Sequence, residues 1–320
     1  MKHLKKRGKI ILGIIIAIVV TLLITTFINL ICIIIEKNKP LKPYGQYIQI
    51  DGKNMCVQIS GNGARIIVLL SGLASPSPVL ELAPLTEKLK DDYTVVVVEP
   101  FGYGFSDLTD KKRTVENITE EIHTAISSLG FKSYTIMAHS ISGLYGLYYA
   151  NQYPDEVESF VGIDTTVPTE NDYIDSDTQN KMLANLVRFA NITGILRAGS
   201  KIYPRLLVKE VVDYKRTTED AELLRRLYLN NVYNKTVMNE INQVNVTSEK
   251  IKNMTFPKEI SVLFFLASDT IDILEFLPEL HGELLTDPNN SKTIILNGGH
   301  FLHYTKSYKI VDIFKKFMKK

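Results

Sequence analysis

The sequence contains no tryptophan, only two cysteines and no marked excess of either charge. Cys32 lies in a long apolar run near the N-terminus, so Cys56 has no partner for a disulfide inside a folded domain. The 37 basic and 35 acidic residues give a formal net charge of +2, and nothing points to a nucleic-acid partner. No group of His, Cys and carboxylate residues has metal-ligand spacing, and Gly102-x-Gly104 does not open a helix as a dinucleotide-binding loop does. We therefore expect neither a metal nor a cofactor.

The apolar run is the first positive feature of the chain. Residues 10–35, IILGIIIAIVVTLLITTFINLICIII, contain no charged side chain. A helix needs about 20 apolar residues to cross the hydrocarbon core of a bilayer, so this run predicts a transmembrane helix. A cleaved signal peptide is the main alternative, but its apolar region is usually about 7 to 15 residues long and ends at an A-x-A-like site. The basic cluster in MKHLKKRGK is heavier than the one that follows the run, which predicts a cytoplasmic N-terminus and an extracytoplasmic main domain.

After the apolar run, strand-like and helix-like segments alternate. Alternating apolar residues on either side of Asp51-Gly52 predict a β-hairpin, and later segments such as RIIVLLS and YTVVVVE read as buried strands. Such alternation predicts an α/β fold, a mostly parallel sheet with helices on both faces. No convincing strand occurs in residues 165–253, which predicts a helical cap. The predicted segments are 1–9 (basic tail), 10–35 (transmembrane helix), 36–45 (linker), 46–164 and 254–320 (two parts of the α/β core) and 165–253 (cap).

Ser140 occupies a place in this pattern that suggests chemistry. It lies between the strand-like SYTIMAH and the helix-like ISGLYGLYYA, which is the context of a nucleophile elbow. The positions two before and two after the serine must hold small residues, because strand and helix approach closely there. Ala138 and Ser142 stand where glycines are usual, and Gly143 follows directly. We expect the elbow to form with some added strain.

Four segments, in this order, resemble motifs of the α/β-hydrolase superfamily, in the branch that includes esterases, proline-iminopeptidase-like peptidases and epoxide hydrolases. They are LLSGLASPS (69–77), EPFGYGFSD (99–107), AHSISG (138–143) and GGHFLHY (298–304). The resemblance covers the chain from about Tyr47 to the C-terminus. It departs from the family pattern at Ser71, where histidine is common, and at Glu99, where aspartate is usual. It implies an eight-stranded α/β-hydrolase fold with a helical cap.

A serine hydroxyl becomes a good nucleophile only when a base takes its proton and an acid orients that base. Ser140 is the predicted nucleophile, and His300 in the glycine-flanked loop NGGHF is the predicted base. Asp269, at the end of the strand-like ISVLFFLA, is the favoured acid because it gives the chain order Ser, Asp, His. Asp272 and Asp164 remain alternatives for the acid.

The resemblance also implies an oxyanion hole, made by the backbone N–H groups of Leu73 and Ile141. His139 and His303 are the nearest competitors for the base. We expect His139 to have a structural role in the elbow and His303 to begin the last helix.

Together these features predict a membrane-anchored serine hydrolase that acts on a small ester or a short peptide. An epoxide hydrolase is disfavoured because those enzymes need a carboxylate where this chain has Ser140. The alternative is a catalytically silent protein of the same fold that binds a ligand at the cell surface, as Ala138 and Ser142 would allow. Measuring hydrolysis with and without Ser140 separates the two.

Overall fold

The computed structural model describes residues 2–174 and 176–319; Met1, Asp175 and Lys320, which the predicted tail, cap and second core part include, lie outside the described residues. An eight-stranded sheet forms the centre of the fold, in the order β1-β2-β4-β3-β5-β6-β7-β8. The first two strands run antiparallel to their neighbours and all other pairs are parallel. The predicted fold class is confirmed. The strands are β1 (Gln46–Ile50), β2 (Lys53–Ser60), β3 (Arg65–Leu70), β4 (Tyr93–Val98), β5 (Tyr134–His139), β6 (Val157–Ile163), β7 (Ser261–Ala267) and β8 (Ser291–Leu296).

The hairpin between β1 and β2 turns at Asp51 and Gly52, as the sequence predicts. Both residues have positive φ angles, 51° and 73°. A two-residue turn of this kind matches the twist of the flanking strands, which explains the Asp-Gly pair.

Thirteen α-helices lie in the described part of the chain. They are α1 (Lys2–Lys37), α2 (Pro78–Leu89), α3 (Val115–Ser128), α4 (Ser142–Gln152), α5 (Ser176–Ile192), α6 (Ile195–Ile202), α7 (Thr218–Asn231), α8 (Lys235–Ile241), α9 (Val244–Ile251), α10 (Ser268–Ile271), α11 (Leu277–Glu283), α12 (Leu302–Thr305) and α13 (Ser307–Phe317). Two short helices, α10 and α11, follow β7, and Pro278 stands in the first turn of α11, where its missing N–H has no cost.

The helices bury apolar residues on both faces of the sheet. Val68, Ile136 and Ala138 pack with α3 and α4 on one face. Ile67 and Met137 pack with α2 and α13 on the other. Because neighbouring residues of one strand point to opposite faces, a strand covered on both sides must be apolar throughout. This accounts for the continuous apolar runs in the central strands.

Between β6 and β7, the described residues form the helices α5 to α9 and two short 3₁₀ turns, at Pro168–Asp172 and Pro204–Leu206. These helices lie over the carboxyl ends of the strands, and we call α5 to α9 the cap.

The N-terminal helix α1 contains the segment Arg7–Glu36, which is long and apolar enough to cross a membrane. The apolar residues predicted to span, 10–35, lie inside this segment. Residues 7–21 are exposed, whereas Asn29 near the end of the helix is buried.

Candidate active site

Ser140 lies in a sharp turn between β5 and α4. Its φ angle is 55°, in the left-handed region that residues other than glycine rarely adopt. The turn is held by backbone hydrogen bonds: the Ser140 N–H donates to the Ile163 carbonyl at 3.3 Å, and the Ser140 carbonyl accepts from Thr166 at 3.0 Å. Strain of this kind persists only where its surroundings fix it, and here it presents the hydroxyl at the edge of the sheet.

The elbow forms with Ala138 and Ser142 at the two positions where glycine is usual. Ala138 is fully buried and pairs with Gly162 on β6. The Ser142 hydroxyl donates a hydrogen bond to the Ser71 carbonyl, so it ties α4 to the loop after β3. The tightest approach falls one residue later, because a Cβ on Gly143 would lie 2.5 Å from the Thr165 Cβ.

Asp164 follows β6, the strand next to β5, and has a positive φ of 45°. Its side chain is only 2% exposed. One carboxylate oxygen accepts from the Ala267 N–H at 2.7 Å, and the other accepts from the Thr270 hydroxyl at 2.7 Å. Burial alone raises the pKa of Asp164, but hydrogen bonds from His300, Ala267 and Thr270 outweigh it and hold the pKa below its usual range. The carboxylate is therefore ionised at neutral pH.

His300, in the loop after β8, lies between Asp164 and Ser140. Its Nδ1 is 2.8 Å from the Asp164 carboxylate and its Nε2 is 3.0 Å from the Ser140 Oγ. With the proton on Nδ1, the imidazole donates to Asp164 and its Nε2 accepts from the Ser140 hydroxyl. Ser140 and His300 meet as the sequence predicts.

Asp269, the acid that the sequence favours, is not hydrogen-bonded to His300. It lies in the first turn of α10 and is exposed, and its carboxylate accepts from the Ser268 hydroxyl at 3.0 Å. Asp272 ends the same short helix and is also exposed. The expected contact between Asp269 and His300 is wrong, and Asp164, an alternative that the sequence left open, makes this contact instead. The physical reason is that α10 begins directly after β7, which turns the Asp269 side chain toward solvent.

The two competing histidines are buried and neutral. Burial, together with the nearby His303 and His300, holds the pKa of His139 well below its usual value. Burial also lowers the pKa of His303 to about 3. His139 lies against the loop of His300, with its Nε2 3.1 Å from the His300 carbonyl. Both side chains pack the site and neither contacts the Ser140 hydroxyl.

The predicted oxyanion donors, the N–H groups of Leu73 and Ile141, have no hydrogen-bond acceptor among residues 2–174 and 176–319. The loop that carries Leu73 approaches the elbow closely, because a Cβ on Gly72 would lie 2.8 Å from the His139 Nδ1 and 3.1 Å from the Ser140 Cβ. Glycine is therefore required at this position. Two free backbone donors beside a serine hydroxyl suit the stabilisation of a developing oxyanion.

A buried hydrogen-bond network connects the loop that carries Leu73 to the cap. The Tyr103 hydroxyl accepts from the Ala74 N–H at 3.1 Å and donates to the Glu240 carboxylate at 3.0 Å. Tyr145 on α4 donates to the second Glu240 oxygen at 2.7 Å. Burial raises the pKa of Glu240, which Arg113 and the two tyrosines partly offset. Sequence reasoning missed this network; the one carboxylate within the mostly apolar VMNEI was its only signal.

Glu99 stands where the family usually has aspartate and has a structural role. It accepts from the Phe105 N–H at 2.8 Å and from the Tyr44 hydroxyl. Gly104 makes room for it, since a Cβ there would lie 1.9 Å from a Glu99 carboxylate oxygen. Burial raises the pKa of Glu99 to about 7.

A cavity of about 340 Å³ opens above Ser140 and His300, under the cap. Its wall is largely apolar and includes Leu183, Leu206 and Phe301. Two charged residues also line it, Glu81 and Lys209, and the Lys209 Nζ lies 3.6 Å above the Phe301 ring. Among the described residues, no group of three or more His, Cys, Asp or Glu side chains could hold a metal ion.

The strand order, the elbow and a sequence match all indicate the same fold. A family model described as alpha/beta hydrolase fold matches residues 65–195, from the start of β3 to the start of α6. The chain has the α/β-hydrolase fold. It is similar to an uncharacterised protein, YbdG, of Bacillus subtilis (strain 168), with 26% identity over 82% of this chain and 81% of that protein.

Other relatives of this α/β-hydrolase match a smaller part of it or only its fold. A 2-(acetamidomethylene)succinate hydrolase of Mesorhizobium japonicum is 29% identical over 38% of this chain and 42% of its own length. The solved α/β hydrolase ALR0039 of Nostoc superposes with a TM-score of 0.69, at 14% identity over 85% of this chain and 97% of that one. An epoxide hydrolase variant of Vigna radiata gives 0.64, at 15% identity over 86% and 98%. At these identities the solved structures support the fold alone.

Proposed function

We propose that this α/β-hydrolase is a membrane-anchored serine hydrolase that cleaves an ester or amide bond through an acyl-enzyme. The observation that carries the proposal is the pair of hydrogen bonds on His300, 3.0 Å to the Ser140 Oγ and 2.8 Å to Asp164. A base in contact with both a hydroxyl and a buried carboxylate is the arrangement that activates a serine.

The proposed reaction has two halves. In the first, the Ser140 Oγ attacks the substrate carbonyl carbon while His300 Nε2 takes the hydroxyl proton. Asp164 stabilises the imidazolium, and the Leu73 and Ile141 N–H groups bind the oxyanion. The bond to the alcohol or amine then breaks, and His300 returns the proton to that leaving group. In the second half, His300 takes a proton from water, whose oxygen attacks the acyl carbon; the acid leaves and the Ser140 hydroxyl is restored.

Serine as the nucleophile supports acyl transfer rather than epoxide opening, which needs a carboxylate at this position. The free N–H groups of Leu73 and Ile141 support the same choice, because they suit the oxyanion of a tetrahedral intermediate. A silent binding protein would have no use for a His300 hydrogen-bonded on both sides, and no observation favours that alternative.

The anchor is the second part of the proposal. The end of α1 contacts the cap: Arg197 donates to Glu36 at 2.6 Å, and Asn29 is buried against the chain between α5 and α6. A helix with its own contacts in the folded protein supports a retained anchor over a cleaved signal peptide. The basic N-terminal cluster favours a cytoplasmic N-terminus and an extracytoplasmic site.

The test uses the full chain in detergent micelles, as wild type and as Ser140→Ala. We expect a fluorophosphonate probe to label the wild type and not the variant, and p-nitrophenyl acetate hydrolysis to fall by at least about a thousandfold in the variant. Equal labelling and equal rates in folded samples would disprove the serine mechanism. A panel of short esters and aminoacyl-proline amides then decides between ester and amide. The intact mass of the membrane-extracted protein tests whether α1 is retained.

A further inference from the structure

The end of α1 is docked on the cap by buried polar contacts. The Asn29 side chain is 4% exposed and donates to the Asn191 carbonyl at 2.9 Å. Arg197 on α6 donates through its Nε to the Asn29 amide oxygen at 2.7 Å and through its Nη1 to Glu36 at 2.6 Å. These contacts fix the cap beside one stretch of the apolar helix.

The two elements approach each other most closely at Gly194, between α5 and α6. A Cβ there would lie 2.6 Å from the Thr25 carbonyl oxygen and 2.8 Å from the Asn29 Cβ, and Gly194 has a φ of 77°. Small and polar residues therefore line the side of α1 that faces the cap. The outer side of the same stretch is apolar and 42 to 65% exposed, through Phe27, Ile28, Leu30, Ile31, Ile34 and Ile35.

The position of the contact along α1 sets the height of the cap relative to a membrane. At 1.5 Å per residue, Asn29 lies about 29 Å from Ile10, the first apolar residue of the span. The hydrocarbon core of a bilayer is about 30 Å thick. Gly194 and the ends of α5 and α6 thus lie at the outer boundary of the core. Leu30 to Ile35 follow within about 9 Å, in the headgroup layer, and a bilayer that ended lower would leave Phe27 and Ile28 outside its core as well.

The cap presents an apolar surface at this same level. Large apolar side chains of α5, α6 and the turn after them are 43 to 86% exposed; we call them the apolar cap face: Met182, Leu183, Leu186, Phe189, Ile192, Ile195, Ile202, Tyr203 and Leu206. Those on α5 recur at helical spacing and so form one stripe. The stripe runs up to Ile192, whose carbonyl accepts from the Asn29 side chain at 3.3 Å. The face is therefore continuous with the surface of the spanning helix.

The other end of the apolar cap face reaches the cavity above Ser140. Leu183 and Leu206 are 52 and 48% exposed, and both also line that cavity. An apolar surface thus runs from the membrane helix to the entrance of the candidate active site. Apolar patches of this kind mark interaction surfaces, and continuity with a spanning helix identifies the bilayer as the partner.

We propose that the apolar cap face lies in the outer boundary of the bilayer that α1 spans, and that Ser140 takes its substrate, a long-chain acyl ester, from that bilayer. This inference rests on the proposed function. The Ser140 oxygen would form an ester with the acyl carbonyl carbon, the alcohol would leave with the proton held by His300, and water would then release the fatty acid. Atoms balance as ester plus water giving acid plus alcohol.

The absence of tryptophan allows a direct test of membrane contact. Phe189→Trp places one indole on the apolar cap face, and Tyr308→Trp, at a residue 71% exposed on α13, is the matched control. The full chain is reconstituted in phosphatidylcholine vesicles with brominated acyl chains. We expect quenching and blue-shifted emission for Phe189→Trp only. Emission from Phe189→Trp that is as unquenched as that of the control would overturn the placement of the cap.

A second measurement tests the source of the substrate. Leu186→Asp with Phe189→Asp puts charge on the apolar cap face, and Ile273→Asp with Tyr308→Asp is the control at exposed sites elsewhere. We expect the first pair to lower hydrolysis of a long-chain ester embedded in vesicles at least about tenfold, with p-nitrophenyl acetate hydrolysis within about twofold of the wild type. Equal effects on both esters, or none, would overturn bilayer delivery. If the wild type hydrolysed no ester faster than Ser140→Ala does, the proposed function would be overturned instead. The quenching result would still stand.

Discussion

The Asp164 carboxylate lies 2.8 Å from the Nδ1 of His300, although 136 positions separate the two residues in the chain. The contact arises from the order of the strands. Asp164 follows β6, which lies between β5, the strand before Ser140, and β7, and the loop after β8 brings His300 back over both ends. A buried carboxylate that also accepts from Ala267 and Thr270 has little freedom to move, so it orients the imidazole.

Asp164→Asn should therefore abolish most of the activity. The amide would favour the wrong imidazole tautomer, and we expect kcat to fall by roughly three to four orders of magnitude, as in serine hydrolases generally. Asp269→Asn is the matched control, and we expect it to stay within about twofold of the wild type because its carboxylate accepts from the Ser268 hydroxyl and not from His300. The measurement is kcat with a p-nitrophenyl ester, with a thermal melt to verify folding. The reverse ranking would restore Asp269 as the acid.

Much of this site follows from the sequence. The strands, Ser140 and the loop of His300 carry local signals, because a buried strand followed by a helix start and a glycine-flanked histidine are both short-range patterns. The choice between Asp164 and Asp269 has no such signal, since each follows a buried strand. It depends on where α10 begins and how the last loop folds, and both are set by tertiary packing.

The contacts of the cap could not be predicted from the sequence either, because they also depend on tertiary packing. Asn29 and Arg197 are 168 positions apart, and neither stands in a motif. A polar residue within an apolar run indicates some partner, but not which one. Glu240 likewise gives no sign in the sequence that it bonds to Tyr103, because that pairing depends on how the cap sits over the sheet.

Tyr103→Phe should weaken catalysis more than Tyr145→Phe does, although both variants lose a buried hydrogen bond to Glu240. The hydroxyl accepts from the Ala74 N–H, next to the proposed oxyanion donor Leu73, so its loss frees the loop. We expect kcat to fall about tenfold with KM little changed, which is less than the roughly hundredfold or greater loss of a direct donor. Tyr145→Phe is the control, because it also loses a bond to Glu240 but leaves Ala74 bonded. Equal effects of the two variants would contradict a role for Tyr103 in positioning the loop.

Ser142→Ala tests whether the residue that replaces the usual glycine stabilises the elbow. The Ser142 hydroxyl donates to the Ser71 carbonyl and is buried, so its removal leaves that acceptor unpaired. We expect the free energy of unfolding to fall by about 1 kcal/mol, measured by urea unfolding in micelles. Ser128→Ala on the exposed side of α3 should change it by less than about 0.5 kcal/mol. An unchanged stability for both variants would show that the hydroxyl is only tolerated.

Glu99 should make the protein less stable as the pH rises. Its pKa is raised by burial to about 7 in the folded state, above the unfolded value near 4.5, so the folded state binds the extra proton. The contribution of Glu99 to stability is then greatest below about pH 4.5, falls between about pH 4.5 and 7, and is lower by about 3 kcal/mol above that range. Glu99→Gln, which cannot ionise, should remove the contribution of this group to the pH dependence. The difference in melting temperature between pH 5 and pH 8 should then become several degrees smaller than in the wild type.

Glu170, whose pKa burial also raises to about 7, makes a similar contribution, which Glu99→Gln leaves in place. Glu87→Gln, at an exposed residue, should leave the difference unchanged, and an identical pH profile for Glu99→Gln and wild type would contradict the buried, protonated state of Glu99.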